Sequence, residues 1–177
     1  CGPGEVMTAR LLSGKEAAAF VEAEVAGRVA ALAAHGKTVG LATVLVGDDP
    51  ASQVYVRGKH RAAGRVGIVS FDHTLPAGAE AGEVAVLLDR LNDDPAVDAI
   101  LLQMPLPGGL DPFPLVERID PAKDADGLHP LNLGRLVLGR PGPRPATPAG
   151  ILRLLDHYGI ATRGAFVVVV GRSFLVG

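Results

Sequence analysis

Val39-Gly40-Leu41-Ala42-Thr43-Val44-Leu45-Val46 runs directly into Gly47-Asp48-Asp49-Pro50-Ala51-Ser52-Gln53-Val54-Tyr55-Val56-Arg57-Gly58-Lys59. The first block is nearly all apolar, the pattern of a strand covered on both faces. The second opens as a turn followed by a helix start. Asp49 can cap, and Pro50 suits the first helical position because the N–H it lacks has no partner there. A helix is predicted from about Pro50 to Ala63, on which Tyr55 and Lys59 stand four apart and share a face. Ser52 would lie roughly 60° from Tyr55 and roughly 20° from Lys59 around the helix axis. A hydroxyl, a phenol and an amine would then point into one space. Alone, a Tyr–Lys pair at this spacing is most often a solvated helix face, so the rest of the chain has to decide.

Working outward, Val66–Phe71 reads as a second strand and Glu80–Leu91 as a second long helix with Val84, Leu87, Leu88 and Leu91 inward. Val97–Gln103 reads as a third strand, ending in Gln103-Met104-Pro105-Leu106-Pro107. Strand, helix, strand, helix, strand implies parallel strands joined by right-handed crossovers. In such sheets ligands sit beyond the carboxyl ends of the strands, the edge to which both Asp48–Lys59 and Gln103 belong. Upstream, Ser13 and Glu16 form a capping box. They open a helix whose Val21, Val25, Val29 and Leu32 are expected to face the core and which Gly36 stops. Downstream, a short helix from about Pro112 to Ile119 is capped by Asp111. Asp120–Leu136 reads as a long ordered loop, a kind of segment that is often functional. Arg140–Pro145 reads as a Pro/Gly linker. Thr147-Pro148 caps a helix to Tyr158 that Gly159 ends, and Ala165–Val170 reads as a buried-type strand.

The 177 residues suit one ordinary domain and a little more. At 48% hydrophobic and 20% charged the chain should pack a core. The formal net charge is −2, with basic and acidic residues interspersed, so no basic stripe suggests nucleic acid. No apolar run approaches the ~20 residues of a membrane span. The single cysteine, Cys1, excludes an intrachain disulfide or a cysteine-based zinc site, and His35, His60, His73 and His157 lack metal spacing, so no metal is expected. Residues 1–8 read as a short expression remnant and N-terminus, with Met7 as the native start. A cytoplasmic location is expected.

Five segments carry a resemblance: VGDDPASQVYVRGKH (Val46–His60), LLQMPLP (Leu101–Pro107), PAKDADGLHPLNLGRL (Pro121–Leu136), PATPAG (Pro145–Gly150) and VVVVGRSFLVG (Val167–Gly177). In this order and spacing the chain resembles the bifunctional methylenetetrahydrofolate dehydrogenase/methenyltetrahydrofolate cyclohydrolase family of one-carbon metabolism, from about Leu11 to Gly177. The resemblance implies an enzyme in which NADP takes hydride from methylenetetrahydrofolate and water then opens the methenyl product to 10-formyltetrahydrofolate. By motif match, Lys59 is the catalytic lysine, Tyr55 its substrate-positioning neighbour and Gln103 the glutamine bonded to it. Asp126 holds the pterin ring. Ser52, Leu102 and Met104 complete the implied substrate-binding set. Gly171, Arg172 and Ser173 are the implied cofactor contacts, with Arg172 suited to an adenosine 2′-phosphate. A folate substrate and a homodimer are implied as partners.

The chemistry is coherent with those residues. The bridge carbon becomes cationic after hydride loss, so a neutral amine, lowered in pKa by burial, serves better there than an ammonium. A neutral amide such as Gln103 directs that amine without pinning it in the charged form. Taken alone, Gln103 could be a turn residue, Asp124 and Asp126 caps, and His129 a structural loop residue.

The expected architecture is a three-layer α/β/α folate-binding catalytic domain with parallel strands over residues 9–145. Residues 146–177 would then supply a linking helix and the first strand and phosphate loop of a Rossmann-like NADP-binding domain. Ala146 stands where relatives often carry cysteine, Gly58 where they often carry asparagine, and Met104 where leucine is common. A dinucleotide-binding domain needs roughly 100 residues beyond that strand. The 177 residues alone are therefore expected to lack dehydrogenase activity and to retain at most weak folate binding or hydrolysis. Three rival readings are a dehydrogenase-only relative, a catalytically silent folate-binding or assembly module, and an enzyme like the amino-acid dehydrogenases, against which KDADG and QMPLP speak.

Overall fold

In a computed structural model describing residues 10–173, three parallel strands lie in the order β2-β1-β3, with β1 (Gly40–Val46) in the middle. Residues 1–9 and Phe174–Gly177 lie outside the described residues, and with them the expected remnant, the Met7 start and the end of the glycine motif. β1 is central because its side chains suit two covered faces. Ala42, Val44 and Val46 face one side, where α3 (Ala81–Asp93) brings Val84, Leu87, Leu88 and Leu91. Thr43 and Leu45 face the other, beneath α2 (Pro50–Arg65). Helices on opposite faces are what two right-handed crossovers produce: β1 to β2 (Val69–Leu75) through α2, and β2 to β3 (Ala99–Leu102) through α3. The three-layer α/β/α arrangement is thus the observed one. The segment after α4 (Pro112–Val116) extends the sheet locally: Ile100 N–H donates to Lys123 O at 2.7 Å and Ala125 N–H to Ile100 O at 3.1 Å.

Six expectations need correction. β2 begins at Val69, not Val66, because α2 continues to Arg65, Val66 caps it and Gly67 turns the chain at φ +83°. The apolar run from Val66 is a helix end plus a strand start, and β2 proper alternates as an edge strand does. α1 (Gly14–Ala34) is not a core helix: Ala17 is its one buried residue among those described, Val21, Val25 and Val29 are half-buried, and Leu32 is 46% exposed. Its capping box is half made. Ser13 Oγ accepts from Glu16 N–H, but the Glu16 carboxylate accepts from the Tyr158 phenol at 2.7 Å and that phenol takes the Ser13 N–H at 2.8 Å.

The segment 120–136 is not all loop, since α5 (Pro130–Val137) follows His129, whose Nδ1 accepts from Leu131 N–H. Proline at the first helical position behind a side-chain acceptor was the unread signal. α6 (Ala146–His157) starts one residue before Thr147 with no side-chain cap, although Gly159 stops it at φ +65° as expected. Finally, Ala165–Val170 forms no strand, and Phe166 and Val170 are each 95% exposed. No neighbouring strand lies beside them among the described residues, so a strand's backbone bonds have nowhere to go.

Candidate active site

The carboxyl edge of the sheet gathers four segments. Gln103 N–H donates to Val44 O at 2.8 Å, one residue past the end of β3, which carries Gln103 to the α2 side of the sheet. There its Oε1 accepts from Lys59 Nζ at 3.0 Å, while its Nε2 donates to Met104 O at 2.6 Å. A carbonyl can only accept, so the bond to Met104 O fixes which end of the amide meets the amine. Asp126 follows the strand-like step at Lys123–Ala125, and Lys59, Gln103, Met104, Asp126 and Leu128 line one cavity of about 180 Å³. Pro145, Ala146, Thr147 and Pro148, at the start of α6, close its far wall.

Gly127 makes that closure possible. It sits at φ +68°, and a Cβ there would lie 2.3 Å from the Arg144 carbonyl carbon and 2.7 Å from Pro145 N. The Asp126 loop and the backbone leading into α6 therefore touch main chain to main chain.

Charge in this cavity is under-compensated. Burial pushes the Lys59 amine below the ordinary lysine range, and the Asp126 charge partly opposes that. Burial pushes the Asp126 carboxyl above the ordinary aspartate range, with Lys59 opposing and Asp124 adding to the rise. No contact ion pair joins Lys59 to Asp126 among the described residues. An amine whose proton affinity burial lowers, aimed by an amide and sharing a cavity wall with a carboxyl, can exchange a proton with a group bound there.

The other expected site residues are placed differently. Tyr55, one turn from Lys59, is 67% exposed and off the cavity wall. Ser52 is buried, but its N–H and hydroxyl both bond Asp49, holding that carboxyl below its usual range. It serves the start of α2, so the three side chains of that helix do not share one space. Leu102 is a core residue on the α3 side. Gly171, Arg172 and Ser173 are exposed and outside any regular element. A Cβ at Gly171 would meet open space, so no cradle for a dinucleotide phosphate is built among the described residues. Leu128 and Pro145–Pro148 were missed as wall residues, although PATPAG was among the recognised segments. Among the described residues no group of three His, Cys, Asp or Glu could hold a metal ion, and no helix is long and apolar enough to cross a membrane.

Comparison with known proteins identifies the family. Residues 12–126 match the family described as tetrahydrofolate dehydrogenase/cyclohydrolase, catalytic domain, a span that holds Lys59, Gln103 and Asp126. The bifunctional protein FolD of Acidiphilium cryptum (strain JF-5) is 54% identical over 171 residues, covering 97% of this chain and 60% of that protein. The bifunctional FolD methylenetetrahydrofolate dehydrogenase/cyclohydrolase of Campylobacter jejuni superposes at TM-score 0.83 with 39% identity, over 85% of this chain and 54% of that one. The Trypanosoma brucei methylenetetrahydrofolate dehydrogenase-cyclohydrolase, solved with NADP cofactor and an inhibitor, gives TM-score 0.81 and 34% identity, over 85% of this chain and 52% of that one. The chain thus spans between 52% and 60% of the length of these relatives.

Proposed function

The chain belongs to the tetrahydrofolate dehydrogenase/cyclohydrolase family, and from that premise we propose that it carries the folate site of a bifunctional one-carbon enzyme. The reactions are oxidation of 5,10-methylenetetrahydrofolate to 5,10-methenyltetrahydrofolate with NADP, and hydrolysis of the latter to 10-formyltetrahydrofolate. Residues 9–145 form the folate-binding catalytic unit, and residues 146–177 lead into the part that takes the cofactor through Gly171, Arg172 and Ser173. The working enzyme is a cytoplasmic homodimer supplying one-carbon units for purine, methionine and histidine synthesis.

One observation carries the reading: Lys59 Nζ lies 3.0 Å from Gln103 Oε1 on the wall that Asp126 shares. At about 180 Å³ the cavity is below the ~300 Å³ that encloses a drug-sized ligand, so it suits the reacting end of a folate and leaves the tail outside. Asp126, ionised, accepts two N–H groups from the amino-pyrimidinone edge of the pterin. That places the bridge carbon near Lys59. Water adds to this carbon and gives up a proton to the neutral amine; the bond from carbon to N5 then breaks as N5 takes that proton back and the hydroxyl on carbon releases its remaining proton to solvent, leaving the formyl group on N10. Gln103 keeps the amine's lone pair directed at the water. Tyr55, one turn away on the exposed side, is left to cover the bound ring. Ser52, Leu102 and Met104 act from behind, through the start of α2, the core and the cavity wall.

Titration of the full-length protein with tetrahydrofolate tests the reading. Saturable binding that D126A weakens about a hundredfold or more is expected, since a charge-assisted bidentate contact is lost. Equal binding by D126A and the parent would remove the site from consideration.

A further inference from the structure

We propose that Asp124 is a positioning residue for the reaction, holding Asp126 on the cavity wall through a buried carboxylate-centred knot that Asn132 completes. The proposal rests on the folate-site reading above. Asp124 is 4% exposed and Asn132 fully buried, so neither reaches a ligand directly. Both Asp124 oxygens are occupied from within the loop. Oδ1 accepts from Gly127 N–H at 3.0 Å, and Oδ2 accepts from His129 N–H at 2.8 Å and from Asn132 Nδ2 at 2.9 Å. Asn132 Nδ2 also donates to Pro121 O at 2.8 Å, and its Oδ1 accepts from Arg135 Nη1 at 3.4 Å.

The knot therefore ties the chain just before the strand-like step, the turn at Gly127 and the first turn of α5 to one carboxylate. Asp126 sits inside that ring of bonds, and its neighbour Gly127 is the residue pressed against Arg144 and Pro145. Every partner of the Asp124 oxygens is an N–H donor, so an amide in its place would set its own NH₂ against a donor. A buried acceptor with three donors is costly to replace, and the displacement would be felt at Asp126. Asp124 also acts on Asp126 through its charge, which, with burial, raises the Asp126 carboxyl, whereas Lys59 on α2 lowers it.

Geometry and charge separate in two variants. D124N disturbs the knot and removes the like charge, whereas N132A loosens the knot and keeps the charge. Tetrahydrofolate affinity and the titration of the Asp126 side-chain carboxyl, followed by carbon NMR, are measured in the full-length protein. Both variants are expected to bind tetrahydrofolate about tenfold or more weakly, the scale of a small misplacement of a binding group. Gripping the pterin needs the ionised Asp126, so affinity falls as pH drops through its raised pKa. Removing the Asp124 charge lowers that pKa, so D124N moves the acid limb of binding and the Asp126 titration to lower pH, and N132A moves neither. Affinity within about twofold of the parent in folded D124N, with the Asp126 titration unmoved, overturns the proposal. Should D124N fail to fold, parental affinity in N132A overturns it instead. If the parent binds no folate, the folate reading itself fails; if the parent binds and both folded variants bind within about twofold of it, only the positioning role fails.

Discussion

Lys59 and His60 are consecutive on α2, yet they look into two cavities of nearly equal size, about 180 and 210 Å³, with opposite chemistry. His60 Nε2 lies 2.7 Å from Thr43 Oγ1 and 2.6 Å from Asp72 Oδ1, and the Thr43 hydroxyl donates to the same carboxylate at 3.1 Å. That cluster is closed on itself: each polar group has its partner, and the bonds fasten α2 to β1 and to the edge strand β2. Across the helix Lys59 meets a neutral amide, and Asp126 faces it without an ion pair. Two half-buried groups of opposite charge share one cavity wall without an ion pair, and burial displaces the proton affinity of each toward its neutral form. A well-bonded histidine cluster is a fastening. Lys59 and Asp126 instead turn hydrogen-bonding capacity toward the cavity they line.

Four substitutions sharpen that contrast. The largest effect belongs to K59M, which should cut hydrolysis of methenyltetrahydrofolate by about a hundredfold or more, measured by the decay of its ultraviolet absorbance. The same change should raise thermal stability at neutral pH. The folded-state pKa of Lys59 lies below its unfolded value, so the protonated amine costs stability, and this cost fades as pH rises through the folded pKa. The gain in melting temperature of K59M over the parent should shrink in alkaline buffer. A drop in melting temperature at neutral pH would mean that the amine is bonded for stability, as His60 is.

Next comes G127A. Its φ of +68° and the 2.3 Å approach to Arg144 predict a loss of about 2 kcal/mol or more in denaturant unfolding, together with weakened folate binding. Parental stability would show that the Asp126 loop and the start of α6 are not pressed together in solution. Q103E is milder. A carboxylate beside Lys59 raises the amine's pKa, so hydrolysis should fall about tenfold at neutral pH and recover as pH is raised, the limb of the rate profile moving to higher pH. A loss independent of pH would rule out the amine as the titrating group. The smallest effect is expected from H60A: about 1 kcal/mol of stability, with hydrolysis unchanged, because Thr43 keeps its bond to Asp72 and Lys59 is untouched. A fall in hydrolysis would show that the two cavities are coupled through α2.

Legibility in the sequence followed how local each signal was. β1, α2, α3 and α4 declared themselves because apolar runs, spacing and caps such as Asp49 and Asp111 lie within a few residues of what they cap. β2 was misplaced because Val66 and Val69 look alike in sequence, and only the continued winding of α2 and the Gly67 turn separate them. α1 looked like a core helix because its valines recur at helical spacing, but burial depends on what packs against a face, and α1 meets only α2 and α6 at any length. α5 hid behind a histidine cap, a weaker signal than serine or aspartate. Ser52 and Tyr55 fell on the expected side of α2 by angle, yet one was drawn under the helix by Asp49 and the other left facing outward.

By itself the sequence determined the alternation of strand and helix, hence parallel strands with helices on both faces, and the identity of the groups at their carboxyl ends. Those are consequences of side-chain periodicity and chain handedness, which act over short stretches. Tertiary structure alone decided that Gln103 turns its carbonyl to Lys59, that Asp126 stops short of an ion pair and that the head of α6 closes the wall behind Gly127. Each depends on residues far apart in the chain (Lys59 with Gln103 and Asp126, Gly127 with Arg144) meeting at one edge of a sheet, and hydrogen-bond direction and desolvation have values only once such groups are in place.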